Sequence, residues 1–420
     1  MWAVVYGIGL IWYLIVLMLG ALGAWRIFRL RKCDYRLSSP RIEGVSILRP
    51  LKGVDPNLYE NLLSAFYQSV PFEMIFCVAL PDDPAISVVN DIIAKFPHID
   101  AKVLIGDDNY GPNPKINNLA KGYKQAKYNL LWVLDSNVAV SPASLVEAVD
   151  IFNHDPRVKL VHNIPVAVAV EGGSGSYLEE MYLSTAHAKF YTGINTLGIA
   201  PCVCGKSNFY RRSDLDNATQ SPAGEGIRSF ASYISEDHLI AECLWATGGR
   251  TKLVSQPVVQ PLGNTGTEEF AMRRIRWLRV RKYMVMAATM VEPTTECLLS
   301  GLLGSFFLSR LLNVPFLWKM MAGHVLFWCM LDYFTFTNII SAYQCGESPG
   351  KPSFTMANYR HPNLLRWASI WLWREVLCLP IWIVAMGGSR IEWRGKPFRI
   401  RSDLVAERIK INDSKGTEHQ

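Results

Sequence analysis

Three acidic positions and one arginine–tryptophan cluster carry the chemistry open to this chain. In order they are Asp82-Asp83-Pro84, Asp135-Ser136 after the apolar run Leu130-Leu131-Trp132-Val133-Leu134, Glu236-Asp237, and Arg273-Arg274-Ile275-Arg276-Trp277. Carboxylates in that order can bind a nucleotide, hold a divalent cation and remove a proton. The arginines can then neutralise a departing diphosphate, because guanidinium groups grip phosphate oxygens in pairs and do not lose their charge. A sugar transfer from a nucleotide donor needs those same parts.

Each position also has a structural reading. Asp135 directly follows a buried strand, where one carboxylate with phosphate oxygens could hold Mg2+ or Mn2+; it could equally cap the helix beginning near Ser141-Pro142. Asp237 lies in Tyr233-Ile234-Ser235-Glu236-Asp237-His238, ahead of a helical run from Leu239 to Ala246. With Ser235 as cap, both carboxylates fall in the first turn, where the helix field favours negative charge for stability alone. Arg273, Arg276 and Trp277 share one helix face at i, i+3 and i+4, and Arg279, Arg281 and Lys282 continue the basic stretch towards a membrane surface. His187 fits either a satisfied structural histidine or a group near the acceptor. Cys202, with Val203, Cys204 and Gly205, forms an apolar strand-like piece that suits either a lipid contact or the core.

The elements that must position these residues are short β-rich runs alternating with helices. Val45–Leu48, Met74–Val78, Val103–Ile105 and Asn129–Leu134 read as strands, and Asn57–Gln68, Ala85–Lys95 and Lys115–Lys127 as helices. Continuously apolar strands separated by helices predict a mostly parallel α/β sheet covered on both faces. Ligands of such sheets bind at the carboxyl ends of strands, where Asp82, Asp83 and Asp135 fall. Residues 214–231, rich in turn formers, read as a mobile loop.

Membrane segments flank this region. Met1 to Trp25 contains no charged residue, and 25 residues of helix rise about 37 Å against roughly 30 Å of hydrocarbon. Trp2 at its start and Trp25-Arg26 at its end do not fit the basic start and small-residue cleavage site of a signal peptide. Arg26, Arg29, Arg31, Lys32 and Arg36 follow the span and no basic side chain precedes it, which places residue 26 onward in the cytosol. Nine scattered cysteines suit a reducing compartment, and no spacing suggests zinc. A net charge of +7, biased to the membrane flanks, fits an anionic leaflet better than nucleic acid. Apolar character returns at 284–309, 314–341 and 366–386, the first interrupted by Glu292-Pro293 and Glu296 and suited to an interfacial helix. The chain therefore divides into an anchor (1–25), a basic juxtamembrane linker (26–41), a cytosolic catalytic domain (42–282), a membrane-embedded or interfacial region (283–389) and a basic C-terminal tail (390–420).

The four motifs resemble those of the ceramide glucosyltransferases, within the inverting glycosyltransferases that carry three aspartate motifs and (Q/R)XXRW. Asp83-Pro84-Ala85-Ile86, Asp135-Ser136, Glu236-Asp237 and Arg273–Trp277 take those places, and Leu51–Leu58, Pro114–Leu119 and Trp393-Arg394-Gly395-Lys396 are further similar strings. The resemblance extends to about residue 402, and two positions depart from it. Arg49 stands where the family's opening has Lys, and Asn137 replaces the second aspartate found in many wider relatives. The resemblance implies a GT-A-like, Rossmann-type mixed sheet and transfer of glucose from UDP-glucose to ceramide on the cytosolic face of the Golgi membrane. It further implies Asp237 as base, Asp83, Lys115, Arg273 and Arg276 on the donor, Trp277, His187 and Cys202 on the acceptor side, and Mg2+ or Mn2+ at Asp135. A polymer-extruding polysaccharide synthase would share the motifs but have more spans. A transporter or membrane scaffold would lack the long strand–helix alternation.

Arg390, Arg394, Lys396, Arg399 and Arg401 crowd the end of the last apolar segment, which predicts a cytosolic C-terminus. Asn412-Asp413-Ser414 is a glycan acceptor only on the lumenal side. The chain made in cells should therefore show no mobility change on amidase treatment; a glycan on Asn412 would place the tail in the lumen and require three full crossings after residue 283.

Overall fold

Runs rich in Val, Ile and Leu make the strands of a computed structural model that describes residues 1–30, 43–344, 349–356, 363–393 and 396–409. After α1 (Trp2–Arg29), strands and helices alternate: β1 (Val45–Leu51), α2 (Leu58–Ser64), β2 (Phe72–Val78), α3 (Ala85–Lys95), β3 (Asp100–Ile105), α4 (Pro114–Gln125), β4 (Leu130–Leu134) and α5 (Ala143–His154). Next come β5 (Val158–His162), β6 (Pro165–Ala169), α6 (Ser174–Tyr182), α7 (Ala188–Leu197), β7 (Ser207–Arg211), α8 (Arg212–Ala218), α9 (Glu236–Ala246), β8 (Arg250–Leu253), β9 (Val258–Leu262) and α10 (Thr267–Met284). The chain closes with α11 (Met286–Val291), α12 (Cys297–Leu311), α13 (Trp318–Gln344), α14 (Leu364–Met386), β10 (Arg390–Trp393), β11 (Lys396–Ile400) and β12 (Ala406–Arg408).

The main sheet has the order β3-β2-β1-β4-β7-β5-β8. Strands β1 to β4 run parallel, so their carboxyl ends share one edge. Both faces are covered, as expected: Ile47 and Phe76 pack into one apolar cluster, while Leu48 and Ile75 on the opposite face join another. Strand β7 is reversed, pairing antiparallel with both β4 and β5. Its first residue, Ser207, therefore lies opposite Leu134, the last of β4. That reversal brings the start of one strand to the edge where the others end, and with it the residues just before Ser207.

Residues 214–231 depart from the reading as a mobile loop. Their first part continues α8 and Gly226–Phe230 form a 3-10 turn. The cause is Asp216, a buried carboxylate that accepts from Gly224 N at 2.7 Å, Gly226 N at 2.8 Å and the Tyr123 hydroxyl at 2.8 Å. Three donors on one buried acceptor fix the turn that a polar composition alone suggests is free.

In the region read as a tail, β10, β11 and β12 form an antiparallel three-stranded sheet. Ile391, Phe398, Ile400 and Ala406 are buried, whereas Arg399 and Glu407 face solvent. Residues 31–42, which hold most of the basic linker (26–41), Arg394-Gly395, and residues 410–420 with the glycan acceptor lie outside the described residues.

Among the described residues three helices, α1, α13 and α14, are long and apolar enough to cross a membrane. The first C-terminal segment breaks into α11, a 3-10 turn at Glu292–Thr295, and α12. At 15 residues α12 rises about 22 Å, short of the hydrocarbon thickness. Asp332, Arg374 and Glu375, inside the long helices, are buried against protein, as intramembrane charges generally are, whereas Lys319 and Arg366, near the starts of α13 and α14, are exposed. Asp332 of α13 meets Lys189 of α7 at 2.7 Å and accepts from Trp371 Nε1 of α14 at 2.8 Å; Arg374 of α14 pairs with Glu296 at 2.8 Å.

Candidate active site

Chain ends of several elements converge beyond the carboxyl edge of β4. Asp135 follows that strand, and its backbone N–H donates to Lys206 O at 3.0 Å. Its side chain pairs with Lys115 Nζ at 2.8 Å and Lys206 Nζ at 3.4 Å. Lys115 sits in the first turn of α4, whose start is fixed by Pro114 and by Asn113, the latter's side chain accepting from Lys115 N and Ile116 N. The same Lys115 ammonium reaches Glu236 at 3.1 Å and donates to Gly205 O at 3.1 Å. One cation thus joins α4, the end of β4, the approach to β7 and the start of α9.

Arg49 organises the loop beneath. Fully buried, it donates through Nη2 to Asp135 O at 3.0 Å, Ser136 O at 3.3 Å and Val138 O at 3.1 Å. Burial lowers its pKa to about 9, so it remains a cation near neutrality. Arginine at this place, where the resembling family opens with lysine, supplies several donors in one plane.

Electrostatics separates the roles of the acidic groups. Burial works against the Lys115 charge, yet Asp135 and Glu236 outweigh it and hold the ammonium above the ordinary lysine range. Burial raises the pKa of Asp237, with Lys115 opposing and Asp135 adding to the rise. Glu236 is likewise raised by burial, but its carboxylate is already bonded to Lys115 and to Asn113 Nδ2 at 3.0 Å. Asp237 is the carboxylate better placed to accept a proton. Gly205 leaves room beside it: a Cβ there would stand 3.1 Å from Asp237 Oδ2.

Asp83 lies at another point of the same sheet edge, beyond β2. Its two oxygens accept from Gly53 N, each at 3.0 Å, and Oδ1 also accepts from Ala85 N at 2.9 Å. Gly53 has φ +68°, a conformation glycine adopts without strain, and so presents its N–H to Asp83. The carboxylate therefore ties the loop after β1 to the start of α3.

On α10, Arg273 and Arg276 line a cavity of about 680 Å³ together with Glu179 and Phe270. Arg273 pairs with Glu179 at 3.3 Å and donates to Gln260 Oε1 at 3.4 Å. Trp277 packs into the apolar cluster between α6, α10 and α14, with its ring 5.4 Å from the Arg273 guanidinium and 5.6 Å from that of Arg274. It braces the arginines by stacking.

The expected acceptor-side pair occupies the α7 flank. His187 stacks on Tyr191 at 5.1 Å, and burial with Arg274 and Arg281 nearby lowers its pKa to about 3, so the ring is neutral. Burial raises the Cys202 thiol to about 11, and the Cys202 carbonyl accepts from Asn195 Nδ2 at 2.8 Å. Between these residues and the site stands Tyr191, whose hydroxyl accepts from Cys204 N at 3.1 Å. Lys206, Tyr191 and Glu179 went unnoticed in the sequence. Only the reversal of β7 puts Lys206 beside Asp135, and no local pattern announces it.

Comparison with known proteins completes the assignment. A family model described as glycosyl transferase family 21 matches residues 10–406, from the first helix to the last strand. The chain belongs to this family. A ceramide glucosyltransferase of Komagataella phaffii is 43% identical over 96% of this chain and 91% of its own. That of Candida albicans is 36% identical over 95% and 97%, and that of Pyricularia oryzae 32% identical over 94% and 93%. In this family 21 member Asp135 and Glu236-Asp237 meet where the structure gathers the end of β4 and the starts of α4 and α9, while Asp83 lies further along the same edge and Arg273–Trp277 on α10.

Lys115→Met should leave Asp135 and Glu236 without their shared cation, and loss of one partner of a buried pair costs about 3–5 kcal/mol. A clear fall in melting temperature in detergent is expected, with Lys115→Arg recovering part of it. A melting temperature unchanged in Lys115→Met would show that the cation does not hold these elements together.

Proposed function

We propose that this chain transfers glucose from UDP-glucose to the primary hydroxyl of ceramide, inverting the sugar's anomeric carbon. The observation that carries the reading is the near full-length match to ceramide glucosyltransferases. Three helices long and apolar enough to span, among the described residues, are also few for a synthase that extrudes polymer. We place the enzyme in the Golgi membrane with its catalytic domain in the cytosol. In that topology α13 and α14 cross and return, so the C-terminal sheet stays beside the catalytic domain.

In the reaction, Asp237 takes the hydroxyl proton as the oxygen attacks C1 from the face opposite UDP. The C1–O bond to the diphosphate breaks, its electron pair leaves with UDP, and the α-linked donor becomes a β-product. Arg273 and Arg276 hold the diphosphate as its charge grows, supported by Trp277. Asp83 contacts the nucleotide, and Lys115 and Lys206 set the positive field around Asp135. His187 and Cys202 shape the acceptor side from behind Tyr191, the histidine as a neutral ring.

A divalent cation has a narrow protein donor set here. Among the described residues no three His, Cys, Asp or Glu side chains gather to hold a metal ion. One carboxylate, Asp135, with phosphate oxygens and water, is nevertheless a set that Mg2+ or Mn2+ accepts. When bound there it would supply charge neutralisation to the diphosphate. Asp135 would then exchange a lysine contact for the ion.

Purified enzyme given UDP-glucose and ceramide should yield a monohexosylated lipid, and Asp237→Asn should lower turnover about 10²–10⁴-fold with UDP affinity kept within a few-fold. More than roughly a tenth of wild-type turnover would remove Asp237 from the role of base. Because its folded pKa is raised, Asp237 accepts protons only above that value. The acidic limb of kcat/KM should therefore lie above the 3.8 of an ordinary aspartate, with activity lost as pH falls through it.

UDP should bind more tightly with Mn2+ than in chelator, and Asp135→Ala should erase that difference. Equal binding in the wild type under both conditions would leave neutralisation to the lysines and arginines alone.

A further inference from the structure

The small C-terminal sheet touches both halves of the proposed machinery. On one side, Ala406 N of β12 donates to Ser232 O at 3.0 Å, and Val405 forms an antiparallel bridge with Tyr233. That segment leads directly into α9 and Asp237. On the other side, α10 is bonded to the chain leaving α14. Arg279 donates to Arg390 O at 2.6 Å and Val384 O at 3.2 Å, and Lys282 donates to Met386 O at 3.2 Å and Gly388 O at 2.7 Å. Cationic donors on the last carbonyls of a helix are a stabilising arrangement, and here they belong to the helix that carries Arg273 and Arg276.

The two sides meet in one apolar cluster. Ile391, Phe398, Ile400 and Ala406 of the sheet pack with Val280 of α10, and Ile234, Tyr283 and Met284 join them. Ser235, at the start of α9, also bonds through its hydroxyl to the Met284 sulfur at 2.8 Å. Elsewhere the helices have separate supports: α9 packs on the main sheet through Ile240, Ala241 and Leu244, and α10 packs against α6 and α14 through Phe270, Ile275 and Leu278. Arg390, Ile391, Glu392 and Pro397 further wall the cavity that holds Arg273 and Arg276.

We propose that β10–β12 is a positioning clamp, which fixes the segment carrying Asp237 at a set separation from the arginines of α10 and closes one wall of the substrate cavity. The proposal rests on the roles given above to Asp237, Arg273 and Arg276. A single displacement needs its proton acceptor and its leaving-group ligands on opposite sides of C1. An error of about 1 Å between such groups costs on the order of 10²-fold in rate. Two helices seated on different parts of the molecule need a third body to hold that distance, and the sheet contacts both.

Ala406→Pro tests the clamp. The N–H of residue 406 points away from β11 to Ser232, so proline removes that donor on the outer side of an edge strand, where proline is tolerated. Ala406→Gly keeps the donor and serves as the conservative control. Ala406→Pro should lower kcat about 10–100-fold while KM for UDP-glucose stays within about threefold, with Ala406→Gly near wild type. Phe398→Ala, which thins the packing on α10 without touching Ser232, should give the same kcat-selective loss. Ending the chain after Ile409 should leave turnover intact, and ending it after Ser389 should abolish it. Hydrogen exchange of the 232–237 amides, which needs no substrate, should quicken in Ala406→Pro and not in Ala406→Gly. Wild-type kcat in both Ala406→Pro and Phe398→Ala, a change confined to KM, or identical exchange in the two Ala406 variants would overturn the clamp. A wild type that makes no glycosylated ceramide would instead overturn the substrate reading, while the exchange comparison still judges the clamp.

Discussion

The ammonium of Lys115 is the interaction on which the site depends. Carried at the start of α4, it lies 2.8 Å from Asp135, 3.1 Å from Glu236 and 3.1 Å from Gly205 O. Glu236 is buried and Asp135 half-buried, and the lysine between them offsets the repulsion of two like charges. Because its partners come from separate stretches of chain, it also fixes where those stretches end. Asp237, next to Glu236, takes its position from that constraint.

Sheet topology supplies the framework for this contact. Parallel strands β1 to β4 deliver their ends, and the helix starts that follow, to one edge. Reversed strand β7 then adds Gly205 and Lys206 to the same edge. Helix starts gathered there favour anions, which suits a diphosphate as well as the carboxylates. The helix that carries Arg273 and Arg276, α10, stands outside the main sheet, seated on α6 and α14. One of the helices long and apolar enough to cross a membrane thus helps support the arginines.

Charged residues within the long apolar helices have a matching explanation. Lys189, Asp332, Trp371, Arg374 and Glu296 form a chain of contacts from α7 through α13 and α14 to the start of α12. An unpaired charge in hydrocarbon is costly, so such partners fix which helix faces meet. Since α7 also carries Tyr191, the same packing orients the hydroxyl that accepts from Cys204, beside Gly205 and Asp237.

The sequence alone determined the local elements and the order of the chemical groups. Apolar runs such as Leu130–Leu134 and Met74–Val78 announce buried strands because each carries its pattern in adjacent residues. Asp135, Asp237, Arg273 and Arg276 were legible because motif spacing is also local, and the N-terminal helix because its length and composition are. Tertiary structure decided what those groups touch. Asp135 meets Lys115 from α4, and Lys206 because β7 runs backwards; the turn within 214–231 is held because Asp216 accepts from Gly224 N, from Gly226 N and from the Tyr123 hydroxyl far back in the chain; β10, β11 and β12 form a sheet because Ile391, Phe398 and Ile400 have α10 to pack against. Each of these depends on partners far away in the chain, and neither composition nor period records a contact between residues that only folding brings together.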